Sequence, residues 1–186
     1  MLDDLRIIER QLGRPPRGSI TVEVRCPWGY PAVIRVAPLL ENKEPFPTLF
    51  WLTCPILREQ LSRLEERGVI EQLEEEIARN PELRERYAED HRRYAQERLS
   101  LLSPQEKQFL EDRGWLKALT ERGIAGIADF RTVKCLHAHY AHHLARGSTI
   151  GRWLEERFQF VWCPPDDIRC APSTPAPHPL SASGEG

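Results

Sequence analysis

A chain of 186 residues, 40% hydrophobic and 29% charged, can bury the core of one domain. Its net charge of −2 supplies no field to hold a nucleic acid or an anionic membrane. No run of about eighteen apolar residues occurs, which excludes a membrane-spanning helix. The start, Met1 to Asp4, is acidic and lacks the basic and apolar regions of a secretory signal, so the expected compartment is the cytoplasm. There, five cysteines read as thiols or metal ligands rather than disulfides.

Leu5, Ile8 and Leu12 share one helical face, which predicts a short amphipathic helix over residues 3–12, broken by the stretch Gly13 to Gly18. Ile20, Val22 and Val24 then alternate with Thr21, Glu23 and Arg25, the two-residue period of a strand. Cys26 to Pro31 turns the chain into a second strand over 32–37, giving a hairpin with a cysteine at its tip. The apolar, β-prone run Thr48 to Thr53 adds a third strand. Pro55 opens a helix that carries Leu57, Leu61 and Leu64 and stops at Gly68.

Residues 69–113 read as helical, restarting at Asn80-Pro81 and Ser103-Pro104, where a capping side chain precedes a proline. Arg84, Arg86, Arg92 and Arg93 are interleaved with Glu82, Glu85, Glu89 and Asp90. That pattern describes a solvated face with paired charges and argues against a nucleic-acid partner. Gly123 to Ile127 is a short connection without the lysine of a phosphate loop. A histidine-rich helix ends at Arg146 before Gly147, and a last helix covers 150–160. The expected architecture is α+β, with a small N-terminal antiparallel sheet of two or three strands packed on a mainly helical body. Residues 1–162 form the single globular domain and 163–186 a disordered tail rich in Pro and Ser.

Four of the six histidines and one of the five cysteines fall within residues 135–143. Thiolate and neutral imidazole at that density suit zinc or another thiophilic transition metal. Cys26 and Cys54, each followed by a proline at a strand exit, are turned out of regular pairing and could face a common point with Cys135. On a helix that includes Cys135, His139 and His142 share its face. If the helix starts later, Cys135 and His137 chelate from its first turn. The bland reading makes the three cysteines small buried hydrophobes and the histidines packed or solvated rings. A rival chemistry makes Cys54 a nucleophile activated by the helix that begins at Pro55, with Asp129 or Glu44 as the orienting acid. Cys163 is expected to pack under the last helix, and Cys170 to be an exposed thiol.

Several motifs occur in order: Arg25-Cys26-Pro27-x-Gly29-x-Pro31, Pro45 to Pro55, Ser62-Arg63-Leu64-Glu65 with Gly68, and Val133 to His137 with Ala141-His142. Together they resemble the bacterial family called domain of unknown function 501, over roughly residues 5 to 155. The resemblance carries no activity. It implies a cysteine at Cys26, a cysteine or histidine at Cys54, the Lys-Cys-Leu-His run, and a histidine at His142. It therefore favours His137 and His142 over His139. The implied centre is zinc held by Cys26, Cys54, Cys135 and His137, with His142 as a further ligand or a group bonded to one.

Three functions remain open on the sequence. A metal-stabilised binding or scaffold protein would dock a protein partner on Trp28, Tyr30 and Phe46. A metal-dependent enzyme would use His137 or His142 as general base. An iron–sulfur or redox protein would use the same three cysteines for a cluster.

Overall fold

Asp3 accepts the amide of Arg6 and starts α1 (Asp4–Leu12), which Gly13 ends in a left-handed conformation at φ 72°. The computed structural model describes residues 3–171. Strands β1 (Ile20–Arg25) and β2 (Pro31–Val36) pair antiparallel with Ile20 opposite Val36, and the register shifts at a bulge between Val22 and Val24. Strand β3 (Phe50–Leu52) pairs on the other side of β2, Ile34 opposite Trp51, so the order is β1-β2-β3. It is shorter than the predicted 48–53 because the amides of Thr53 and Cys54 both turn to the carbonyl of Ala32.

The central strand is apolar apart from Arg35, which pairs with Glu23, because it is covered on both sides. Ile34 and Val36 meet Ile8 of α1, whereas Val33, Phe50 and Leu52 face the helices. Eight helices in all are described. After α1 come α2 (Pro55–Glu66), α3 (Val69–Arg79), α4 (Pro81–Ser100), α5 (Pro104–Asp112), α6 (Lys117–Thr120), α7 (Leu136–Arg146) and α8 (Thr149–Arg157). The predicted restarts hold. Asn80 accepts the amides of Glu82 and Leu83, and Ser103 forms a reciprocal cap with Glu106. Helix α7 lies at the centre, packed on β3, α8 and α2. No described helix is long and apolar enough to cross a membrane.

The charges of α4 pair along its surface, Arg92 with Glu85 and Glu89 and Arg86 with Glu82, as the interleaving predicts. The last charge is different. Arg98 is fully buried, and donates to the carbonyls of Leu119 (3.0 Å), Pro47 (2.5 Å) and Arg122. Burial pushes its guanidinium down to about 10, still charged at neutral pH. One side chain thus ties α4 to α6 and to two loops.

Of the aromatics predicted as an exposed docking surface, the structure leaves one in place. Tyr30 is buried at 8% exposure, packed with Ile7 and Cys170, and Phe46 is half-buried against Trp51. Trp28 is exposed, although its indole N–H is held by the Cys163 carbonyl at 2.9 Å. The causes differ: the chain beyond residue 162 returns over the hairpin and covers Tyr30, whereas Phe46 packs with Trp51 on the α1 side of the sheet. Of the predicted tail, residues 163–171 are described, anchored by the buried Cys163 and Cys170, and 172–186 lie outside the described residues. Cys170, predicted to be exposed, is buried at 6%.

Replacing Arg98 with Ala should lower stability by about 3 kcal/mol or more, since several buried carbonyls lose their donor and a cavity opens. Arg98→Lys keeps the charge but not the planar fork, and should recover less than half of that loss. The urea midpoint reads both; an unchanged midpoint for Arg98→Ala would remove Arg98 from this role.

Candidate metal centre

Helix α7 begins beside the last turn of α2, and its own capping residue does not cap it. Cys135 is extended (φ −162°, ψ 120°) and makes no side-chain bond to the first turn. Glu65, in the last turn of α2, does so instead. Its Oε1 accepts the Leu136 amide at 2.6 Å and lies 3.1 Å from His137 Nδ1. Cys135 Sγ is 3.6 Å from the same nitrogen. One ligand atom from each of Glu65, Cys135 and His137 falls within 4.8 Å of the other two, and all three residues are half-buried.

The other ring nitrogen fixes the chemistry. His137 Nε2 lies 3.0 Å from the Arg58 carbonyl, which can only accept, so Nε2 carries the proton. The Nδ1 lone pair then points at a carboxylate oxygen and a sulfur. Three electron-rich atoms converge on a point that only a cation, a proton or a metal ion, can reconcile. Burial pushes the His137 imidazole down, but Cys135, Glu65 and the Arg58 carbonyl together raise it above its ordinary value. The helix starts after Cys135, the alternative that brings Cys135 and His137 together at its first turn.

The group opens on a cleft of about 690 Å³ lined by Phe50, Trp51, Arg14, Lys134, Cys135 and His137. Arg14 and Lys134 are exposed on its wall. Two of the three candidate ligands, Cys135 and His137, line it, and its charged lining is Arg14, Arg58, Lys134 and Glu59.

The remaining predicted ligands lie elsewhere. His142 is buried between Phe50, with ring centroids 5.9 Å apart, and Tyr94, at 5.2 Å. His139 points into the core, where Nε2 meets the Tyr87 hydroxyl at 3.1 Å and that hydroxyl donates to the Thr132 carbonyl. His91, on α4, accepts the Ile124 amide at 3.0 Å through Nδ1. Each of these three rings keeps one buried nitrogen without a partner among the described residues. His143 accepts the Ser148 amide and approaches Glu155. Burial drives His91 down to about 3 and His142 to about 4, so both are neutral packing groups at neutral pH.

Cys26 and Cys54 are not in the Glu65 group. Cys54 precedes α2 as expected, but burial pushes its thiol up to about 11 against the pull of the Leu57 and Ile56 amides. That is the opposite of what a nucleophile needs. Asp129, suggested as its orienting acid, is paired with Arg131 instead. Glu65 was the residue that sequence reasoning did not single out as a ligand, although it closes the quoted Ser62–Glu65 motif. A carboxylate inside a motif, beside a second motif holding Cys and His, was the available signal.

Residues 22–156 match the family described as Protein of unknown function (DUF501). The match includes Glu65, Cys135 and His137, as well as Cys26 and Cys54, and ends before Cys163 and Cys170. No curated protein and no solved structure matches the chain.

The buried histidines predict a pH dependence. An imidazole whose folded value is depressed stabilises the fold fully above its unfolded value of about 6.5, and that stability is lost as pH falls towards the folded value. His91, His139 and His142, all held low by burial, should together cost about 4 kcal/mol per pH unit as pH drops from about 6 to 5, three protons' worth. Urea unfolding at pH 7, 6 and 5 measures this, and His142→Gln should remove about a third of the slope. A stability independent of pH in that window would contradict the buried, neutral assignment.

Proposed function

The chain belongs to the family described as Protein of unknown function (DUF501), and we propose that its domain holds one zinc ion at Glu65, Cys135 and His137 to bind a small anionic ligand in the adjoining cleft. The convergence of a carboxylate oxygen, a sulfur and an imidazole lone pair carries this reading. One sulfur, one nitrogen and one oxygen donor form a set that zinc accepts. Nε2–H, held by the Arg58 carbonyl, is the arrangement that orients a metal-bound imidazole. Three protein donors leave a fourth position, which the cleft supplies. An anion entering there would meet the ion, the basic Arg14 and Lys134, and the positive end of α7.

The closed set of Cys26, Cys54, Cys135 and His137, which would make the ion purely structural, is less well supported. It requires Cys54 to leave the company of Cys163 and Cys170, whose charges it feels more than that of Cys135. An iron–sulfur cluster at the Glu65 group would have one thiolate, fewer than such clusters use. His142 as general base is disfavoured by its place between Phe50 and Tyr94.

Zinc affinity of the reduced protein, measured in competition with a chromogenic chelator, tests the assignment. Cys135→Ser and His137→Ala should each weaken one bound ion by roughly 100-fold or more, beyond the 10–100-fold typical of groups that only orient a ligand. Glu65→Gln keeps an acceptor for the Leu136 amide, so α7 stays capped while the affinity falls about tenfold, some 1.4 kcal/mol. Wild-type affinity in all three variants would sink the site. With the ion bound, inorganic phosphate should perturb the spectrum of the cobalt-substituted protein, and Lys134→Ala should weaken that effect.

A further inference from the structure

We propose that Cys26, Cys54, Cys163 and Cys170 form a second, all-sulfur site for a zinc ion, which clasps the C-terminal segment to the hairpin and to the start of α2. Four of the five cysteines thereby acquire a shared place that neither the family match nor the cleft site accounts for. Cys26 follows β1 at the hairpin tip, Cys54 precedes α2, and the other two come from the returning C-terminal segment. Cys26 packs both against the cluster that contains Cys54 and against the one that contains Cys170.

The returning segment is pinned by specific bonds rather than draped. Trp28 at the hairpin tip donates to the Cys163 carbonyl at 2.9 Å, and Arg10 of α1 donates to the carbonyl of Cys170. Gln60 of α2 exchanges two hydrogen bonds with the Val161 backbone, at 2.8 and 3.0 Å, and Arg169 pairs with Glu59 at 2.6 Å. The result holds Cys163 and Cys170 at 9% and 6% exposure beside Cys54 at 4%. Gln11, itself buried, turns its amide N–H to Cys170 Sγ at 3.2 Å, as donors do around metal-bound thiolates.

The thiols also sense one another. Burial first, then the nearness of Cys170 and Cys163 to Cys54 and of Cys163 and Cys26 to Cys170, pushes the thiols of Cys54 and Cys170 up in the metal-free chain. A divalent ion reverses that balance. Each sulfur that becomes a ligand releases its proton to solvent, and the centre carries two negative charges close to Arg10. Among the described residues, the Glu65 group is the one whose ligand atoms lie within 4.8 Å of one another, so the four sulfurs are a wider set. Closing them on one ion needs the sulfurs to draw together, and all four cysteines lie outside helix and strand.

Zinc stoichiometry of the full, reduced, metal-free chain tests the proposal separately from the cleft site. Wild type should bind two ions, Cys135→Ser/His137→Ala one, and Cys163→Ser/Cys170→Ser one. The cobalt form of the Cys135→Ser/His137→Ala variant should show the intense sulfur-to-cobalt absorption of a tetrahedral thiolate site, and lose it on further change of Cys170 to Ser. X-ray absorption of zinc-loaded wild type, which needs no variant to fold, should show a sulfur-dominated shell. If Cys135→Ser/His137→Ala binds no ion, or the wild-type shell is mainly nitrogen and oxygen, the second site is overturned. If instead wild type binds one ion that survives in Cys135→Ser/His137→Ala and is lost in Cys163→Ser/Cys170→Ser, the cleft site fails and the all-sulfur site stands.

Discussion

Backbone N–H groups buried away from any sheet must find acceptors, and in this fold side chains of the helical body supply them. Glu65 accepts from Leu136, Glu74 from Val133 at 2.7 Å, Asp90 from Thr149 at 2.6 Å, His91 from Ile124 and Tyr94 from Leu49 at 2.6 Å. Each such donor left unpaired costs about 1–3 kcal/mol. Four of the five lie between residues 124 and 149, the stretch that carries the chain into α7 and out to α8. Helices α2, α3 and α4 therefore act as a rack of acceptors on which the C-terminal half is hung. Arg98 does the reverse, a buried donor for carbonyls of the loops.

The candidate metal centre is a consequence of that arrangement. A carboxylate placed to cap α7 is necessarily beside the first residues of α7, and those residues are Cys135 and His137. With the Arg58 carbonyl fixing the imidazole, structural satisfaction and ligand preorganisation become the same set of contacts. Gly123 shows how tightly the rack is fitted: a Cβ there would sit 2.0 Å from His91 Nδ1, so the loop can reach its acceptor only with glycine at that position.

Local signals in the sequence were read well and long-range ones were not. Strand alternation gave β1, the turn Cys26 to Pro31 gave β2, and Asn80-Pro81 and Ser103-Pro104 marked real caps, because each depends on neighbours a few residues away. The Cys135-x-His137 pair was visible for the same reason. Glu65 was hidden among many glutamates, since nothing nearby in sequence reveals a partner more than seventy residues on. Arg98 ended a surface pattern of paired arginines yet is the one that goes inside. The Pro-rich composition after residue 162 spoke for disorder, and its few anchors, Cys163, Ile168 and Cys170, could not be weighed without knowing the surface that receives them. His139 and His142 fell on a helix face with Cys135 only if Cys135 were helical, and it is extended.

Helix α2 connects the two candidate sites, with Cys54 immediately before its first residue and Glu65 in its last turn. Twelve residues at 1.5 Å rise make it about 18 Å long, a rigid strut between them. Its dipole treats the two ends differently. At the N-terminus it favours a thiolate at Cys54 by a fraction of a kcal/mol, which alone cannot ionise a thiol that burial has pushed up to about 11. At the C-terminus it opposes the negative charge of Glu65, and only the opposed N-terminus of α7 offsets that. The two ends gather different donors, buried thiols at one and a carboxylate, a sulfur and an imidazole at the other. On the two proposals above, the same helix would link a cleft-facing ion to one that fastens the C-terminal segment.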